Sequence, residues 1–402
     1  LIKQSRTELL EKAKDIVDSV YTNSKKFTSA KSPSGESVQS AIVLLDPSTG
    51  EIKALYGGIG TKTENLIFNR ATDAKRPAGS SIKPLSTYGP GVDQGLITPT
   101  TLVSDSQNIK LKGTTWFPKN DDLSYRGTVT IQQALVSSLN TVSAQILDKL
   151  TPQVSYKYLT DRLGFTSLVQ ADCDYAPLAL GQFTKGVTVR EMAQGFDALA
   201  NNGVFTYSRT YTKVLDSKGN VLLDNPAQTD VAFKENTAWT MDQMLEAAAT
   251  YGTGSESYFG AMAHAGKTGT TSDNTDRWFV GFTPYYCAAV WTGYDTPAHM
   301  YVSGNPAAQI WKKVMQPLHE GLAVKQFKKP TASAPTNIFG DTVIASPSPS
   351  PSPSGEASPS PSGGSQPAAS PEPSSAPEPS APVVTPESSD LILDFDLPDL
   401  PH

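Results

Sequence analysis

The sequence predicts an α+β fold, an antiparallel sheet flanked by helices, with strands drawn from both ends of one domain and a helical subdomain inserted between them. Three observations point there. A strand-turn-strand pattern falls near residue 45, helical spacings dominate from about residue 80 to residue 250, and short apolar strands return between residues 261 and 294.

The elements follow in order. Residues 7–21 place Leu9, Leu10, Ala13, Ile16, Val17 and Val20 at three- and four-residue steps, the spacing of an amphipathic helix that needs a partner surface. Residues 41–45 and 52–56 are short apolar runs joined by Asp46-Pro-Ser-Thr-Gly50, turn chemistry that makes them a hairpin. A helix begins after Arg76-Pro-Ala-Gly79. Residues 130–149 read as helix, break, helix, with the break around Ser138-Leu-Asn140, and residues 187–201 form a helix closed by Asn202-Gly203. A second hairpin joins residues 211–215 to 221–223 through Asp216-Ser-Lys-Gly-Asn220, and residues 235–250 return to helical spacing. Residues 261–271, 278–282 and 285–294 are three strands at short spacing, an antiparallel meander, with His264 a strand residue. Residues 307–322 carry an apolar stripe suited to lie on that sheet, bent or weakened at Pro317.

From about Pro330 the pattern dissolves. Residues 346–389 contain 13 prolines, no aromatic residue and only seven apolar ones, all Ala or Val. Such a composition buries too little apolar surface to offset the entropy of ordering, so residues 330–402 are expected to form a disordered, Pro/Ser-rich acidic tail. Its last residues, with Leu391, Ile392, Leu393 and Phe395 among acids, offer at most a short docking motif.

The formal net charge of -6 divides unevenly. Residues 346–402 hold eight acidic side chains and no Lys or Arg, so removing those eight leaves residues 1–345 at about +2. A nearly neutral body excludes a nucleic-acid protein that works through a dense basic surface. No stretch approaches the roughly 18 to 20 apolar residues of a membrane helix. The chain starts with Leu and shows no signal-peptide pattern, so it reads as a piece of a longer protein whose anchor would lie upstream. Cys173 and Cys287 suggest neither a disulfide framework nor a metal site, and Cys287 reads as a small buried core residue. The four His residues form no metal-binding spacing, so no metal or organic cofactor is expected.

Three short motifs carry chemistry, in one order: Ser80-Ser-Ile-Lys83, Ser138-Leu-Asn140 and Lys267-Thr-Gly269, the last followed by Thr270 and Thr271. A serine hydroxyl is a poor nucleophile without a base in reach. Residues i and i+3 of a helix are neighbours, so Lys83 is expected to stand beside the Ser80 hydroxyl, with Gly79 allowing a tight entry to the first turn. Burial and the second ammonium of Lys267 would lower the Lys83 pKa and free it as a base. Ser138 and Asn140 sit at a helix break, where they could aim into a cleft or serve as a helix N-cap before Thr141. In the third motif, Gly269 would let a ligand backbone approach, while Lys267 and the Thr hydroxyls suit a carboxylate. Each motif alone is as easily a surface pair, a cap or an edge-strand bulge; their order gives them weight.

S-x-x-K, a serine-led second motif and K-T-G are together the signature of penicillin-binding proteins and class A β-lactamases. The chain resembles the transpeptidase domain of a class A (bifunctional) penicillin-binding protein, and the likeness runs from about residue 38 to 322. It is carried by Asn69-Arg-Ala71, the stretch from Arg76 to Pro84, the stretch from Thr130 to Asn140, Ala179-Leu-Gly181, Ala200-Asn-Asn-Gly203, Gly252-Thr-Gly254, the stretch from Ala265 to Thr271 and that from Asp276 to Pro284. The chain departs from the family at Ala78 and Ile82 beside the nucleophile, and at His264, where an apolar residue is common. The resemblance implies a penicillin-binding-protein/β-lactamase-like transpeptidase fold over residues 38–329, preceded by a linker and lead-in helix in residues 1–37.

The resemblance also implies D-Ala-D-Ala transpeptidation. Ser80 would be the nucleophile, Lys83 its base and Ser138 the proton relay to the leaving group, and Asn140 would hold the acyl chain's amide. Lys267, Thr268, Gly269 and Thr270 would form the donor-carboxylate site, and the backbone N–H groups of Ser80 and Thr270 the oxyanion hole. The partners it implies are peptidoglycan stem peptides, β-lactam antibiotics and other cell-wall synthesis proteins, at the extracytoplasmic face of a bacterial membrane. Two rivals share Ser80: a D,D-carboxypeptidase and a β-lactamase. A β-lactamase would need an E-x-x-L-N motif that none of Glu191, Glu235 and Glu246 fits. A rival of another class, a non-catalytic wall-binding scaffold, would be marked by a broken motif, and all three are intact.

Overall fold

A computed structural model of the chain describes residues 12, 14–20, 30–60, 64 and 67–330. The acidic tail after residue 330 and residues 7–11, 13 and 21 of the predicted lead-in helix lie outside the described residues. Residues 14–20 are helical, and Val17 and Val20 are buried.

Strands β1 (Gln39–Asp46) and β2 (Glu51–Tyr56) form the first hairpin. Its turn closes with Gly50 N–H donating to Asp46 O at 2.8 Å, Gly50 having φ +68°. A long crossing follows, in which β3 (Leu102–Asp105) and β4 (Gly127–Thr130) pair as a ribbon, before helices α1 (Ile131–Val136) and α2 (Asn140–Leu150). Helix α3 (Val189–Ala200) leads to β5 (Val204–Thr206), the exposed hairpin β6 (Lys213–Leu215) and β7 (Val221–Asp224), and β8 (Thr229–Val231), which pairs with β5. Then come α4 (Glu235–Thr250), β9 (Ala265–Thr270), β10 (Asp276–Phe282), β11 (Cys287–Gly293) and α5 (Pro306–Leu318). Thr130 and Thr188 each close a capping box, with Gln133 and Glu191 respectively, which explains the abrupt helix starts.

The five-stranded sheet has the order β2-β1-β11-β10-β9 and is antiparallel throughout. The register Val43↔Ala289 joins the N-terminal hairpin to the C-terminal meander, so the sheet does draw strands from both ends. Both faces are covered. Ala41, Val43 and Leu45 enter the larger core with the inserted helices, whereas Ile42 and Leu44 alternate into a smaller one with Phe279, Val290 and Trp311 of α5. Burial on two sides is why β1 reads as an unbroken apolar run.

The structure corrects several boundaries. The third-motif strand begins at Ala265, not 261, so His264 precedes it; that ring is buried against Phe259 and Trp311. Helix α5 ends at Leu318 rather than residue 322, with Pro317 in its last turn, where few helical hydrogen bonds remain to lose. The β3–β4 and β5–β8 ribbons were not predicted, because strands of three or four residues carry too little alternation to register. Cys287 is fully buried as expected, and burial pushes its thiol pKa up.

Candidate active site

Ser80 lies at the start of a continuous helical segment that opens as a 3-10 turn (Gly79–Ile82), widens into a π-helical stretch (Pro84–Tyr88) and ends as α-helix (Gly89–Asp93). The entry depends on Gly79. Its φ is +55°, and a Cβ there would lie 2.4 Å from Thr270 O. Gly181 approaches from the other side, accepting from Gly79 N–H at 3.3 Å. Backbone packed against backbone fixes Ser80 beside the free edge of β9.

Lys83 and Lys267 are both fully buried. The Lys83 ammonium donates to Asn140 Oδ1 at 2.6 Å and to Ser138 O at 2.8 Å. Its backbone N–H donates to Ser80 O, so the i, i+3 relation holds. The Lys83 ammonium thus bonds two acceptors of the second motif, one of them a backbone carbonyl. Lys267 donates to Ser138 Oγ at 2.9 Å and to Thr268 O at 3.2 Å. Burial first, and then the charge of Lys267, drive the Lys83 pKa well below the ordinary amine value; burial lowers that of Lys267 to about 7.

Ser138 has φ +58°, the left-handed region usually left to glycine. Its N–H donates to Leu135 O, and Leu139 N–H donates to Ala134 O, so it follows the α1 C-cap Ser137, the position where a helix end favours Gly. A non-glycine residue there carries a cost of roughly 1–2 kcal/mol. The N-cap alternative is corrected. Leu139 is the cap residue of α2, without a side-chain cap bond, and Asn140 is the first helical residue.

The cap's work is done by a residue the motifs did not reveal. Asn120 Oδ1 accepts from Asn140 N–H at 2.9 Å, Asn120 Nδ2 donates to buried Asp105 at 2.8 Å, and Thr141 Oγ1 donates to the same carboxylate at 2.5 Å. Lys119 O accepts from Asn140 Nδ2 at 2.8 Å. Asn140 is therefore gripped at both ends of its amide. Asp105 and Asn120 sit in a stretch without helical or strand periodicity, and only the polar cluster Asn120-Asp121-Asp122 hinted at them.

A Cβ at Gly269 would lie 2.4 Å from Ala78 O and 2.8 Å from Ser81 Oγ, so its missing side chain admits the Ser80 helix. Thr268 Oγ1 donates to Thr253 Oγ1 at 2.8 Å. That contact brings the Gly252-Thr-Gly254 turn into the site. Ser80, Ser138, Asn140, Thr268 and Thr270 line one cleft of about 760 Å³, with Lys83 and Lys267 beneath it. Glu191 does not reach this cleft. Burial alone would raise its pKa, but hydrogen bonds from Ser167, Thr188 and Thr166 outweigh burial and keep its carboxylate ionised below its usual value. Among the described residues no group of His, Cys, Asp and Glu could hold a metal ion, and no helix is long and apolar enough to cross a membrane.

A serine hydroxyl, two lysines of depressed pKa and a second hydroxyl bonded to one of them are groups suited to moving a proton during acyl transfer. Comparison with known proteins gives the same chemistry a lineage. Residues 40–316 match the family model described as the penicillin binding protein transpeptidase domain. Penicillin-binding protein 1A of Clostridium acetobutylicum is 36% identical over 335 residues, covering 78% of this chain and 41% of the relative. Penicillin-binding protein 4 of Bacillus subtilis is 36% identical over 282 residues, covering 69% and 44%. The chain thus spans about two fifths of the length of these relatives. Among solved structures, the PonA1 protein from Mycobacterium tuberculosis in complex with penicillin V superposes with a TM-score of 0.67 at 26% identity, over 81% of this chain and 87% of that one.

Proposed function

The chain belongs to the penicillin-binding protein transpeptidase family, and from that premise we propose that it is a serine-type D,D-transpeptidase that cross-links peptidoglycan stem peptides and is acylated by β-lactams. The observation that carries the reading is the chain of contacts from Lys83 through Asn140 and Ser138 to Lys267, linking all three motifs in one cleft with Ser80.

Ser80 Oγ attacks the carbonyl of the penultimate D-Ala and its proton passes to Lys83 Nζ, whose depressed pKa leaves a usable neutral fraction. The developing oxyanion is met by the backbone N–H groups of Ser80 and Thr270, a pairing supported by the close stacking of Gly79 on the Thr270 backbone. Collapse expels D-Ala, whose amine takes a proton from Ser138 Oγ, itself resupplied by Lys267. Asn140 holds the acyl chain's amide, exchanging its bond to Lys83 for one to substrate. The donor's terminal carboxylate meets Thr268 and Thr270. The amine of a second stem peptide then attacks the Ser80 ester, losing a proton through Ser138 to Lys267 while Lys83 returns its proton to Ser80 Oγ, and the cross-linked product leaves in ping-pong fashion. The substrates place this activity at the extracytoplasmic face of a bacterial membrane, among other cell-wall synthesis proteins, and residues 38–329 constitute the catalytic domain.

Labelling with a fluorescent penicillin tests the assignment. Wild type should form a covalent adduct and Ser80→Ala none; an unlabelled wild type, or a labelled variant, overturns it. Incubation with a D-Ala-D-Ala peptide and an amine acceptor should yield cross-linked product, whereas release of D-Ala alone would assign a D,D-carboxypeptidase instead.

A further inference from the structure

A charge inventory of the cleft leaves one cation unaccounted for. Arg277 is half-buried on β10, lines the same cleft as Ser80, and lies directly across from Thr270 in the β9–β10 register, so both side chains leave the sheet on one face. Its Nη1 donates to Asn274 Oδ1 at 2.7 Å. Asn274 belongs to a turn in which it and Asp273 both have positive φ, 54° and 58°. Among the described residues no carboxylate forms an ion pair with Arg277.

The neighbouring carboxylates are committed elsewhere. Asp276 accepts from Trp291 Nε1, Thr275 Oγ1 and Thr271 Oγ1; Asp122 pairs with Arg126; and Glu256 accepts from Asn305 N–H and Gln309. Burial lowers the pKa of Arg277, and exposed Asp121, which lines the same cleft, and Asp276 pull on the guanidinium only through space. The other candidates for meeting an anion are weak. Lys267 is spent on Ser138 and Thr268 O and is only part-protonated near neutral pH, and Thr268 and Thr270 are uncharged hydroxyls.

We propose that Arg277 is the binding residue that supplies the permanent positive charge for the donor's terminal carboxylate, and for the carboxylate of a β-lactam, above the hydroxyls of Thr268 and Thr270. This rests on the acyl-serine reading of Ser80. A guanidinium presents paired N–H donors in the geometry of a carboxylate, and in a half-desolvated cleft a charge-assisted bond of that kind outweighs neutral hydroxyl contacts.

The test measures second-order acylation constants for benzylpenicillin and for its neutral methyl ester, with wild type, Arg277→Gln and Arg277→Lys. Loss of one charged hydrogen-bonding partner predicts a fall of about 10- to 100-fold for the acid in Arg277→Gln, with less than about a 3-fold change for the ester, and partial recovery in Arg277→Lys. The ratio of acid to ester is read within each variant, so a reduced folded fraction cancels. An equal fall for both ligands, or no fall for either, overturns the role of Arg277. A wild type acylated by neither ligand would instead overturn the acyl-serine reading itself.

Discussion

Two fully buried lysines give the chain a stability that depends on pH in a definite direction. Lys267 titrates at about 7 when folded, against about 10.4 when unfolded. Between those values the unfolded chain binds the proton and the folded chain does not, so stability rises with pH across that window and the burial cost is complete below it. Lys83, lowered by burial and by Lys267, acts in the same sense. Asp197 acts oppositely: it is fully buried with both carboxylate oxygens unpartnered, burial and then Asp46 hold its pKa well above normal, and it loses stability as pH rises above its unfolded value. The difference between two proteins that both keep Asp197 isolates the lysine. The melting temperature of wild type should rise relative to that of Lys267→Met from pH 7 to pH 9.5; a constant offset would refute the buried, depressed amine. At this scale the motif residues were legible because each triplet is local chemistry. Asn120 and Asp105 were not, since a carboxylate that grips a helix start from more than 30 residues away leaves no periodic trace.

The elements meet at glycines. The Ser80 helix can touch β9 only because Gly79 and Gly269 have no Cβ, the backbone at Thr270 and Ala78 filling the space on either side. Gly269→Ala forces a methyl group within 2.4 Å of Ala78 O, and neither backbone is free to yield. The expected result is a loss of about 1–3 kcal/mol in stability and a fall in penicillin acylation of more than about tenfold as the nucleophile shifts against its oxyanion donors. Thermal unfolding and adduct formation check the two together, and unchanged acylation would show that this contact does not position Ser80. Helices α1, α3 and α4 were legible to within a few residues because their caps and spacings are written in sequence, Thr130 with Gln133 and Thr188 with Glu191 among them. The π-helical widening after Lys83 and the left-handed Ser138 were not, because both are local strain that the surrounding packing imposes.

For the molecule as a whole, the two cores on either face of the sheet are built from described residues ending at Phe327, and the cleft is lined entirely within residues 80–305. The composition of residues 346–389 suits neither, since it buries too little apolar surface to offset the entropy of ordering. A chain truncated after residue 330 should therefore form the penicillin adduct at the wild-type rate, within about twofold; a slower rate in a truncated chain that melts normally would assign residues 331–402 a part in the site. The α+β class, the pairing of sheet ends and the order of the three motifs could be read from the chain, because hydrophobic period, turn residues and i, i+3 neighbours are short-range properties. The fold alone decided that Lys83 bonds Asn140 and Ser138, that Gly269 serves a helix contact, and that Arg277, across from Thr270, forms no ion pair among the described residues. Those outcomes depend on desolvation, on contacts between separate motifs and on the packing of a helix against a strand, none of which is a property of any local stretch of the chain.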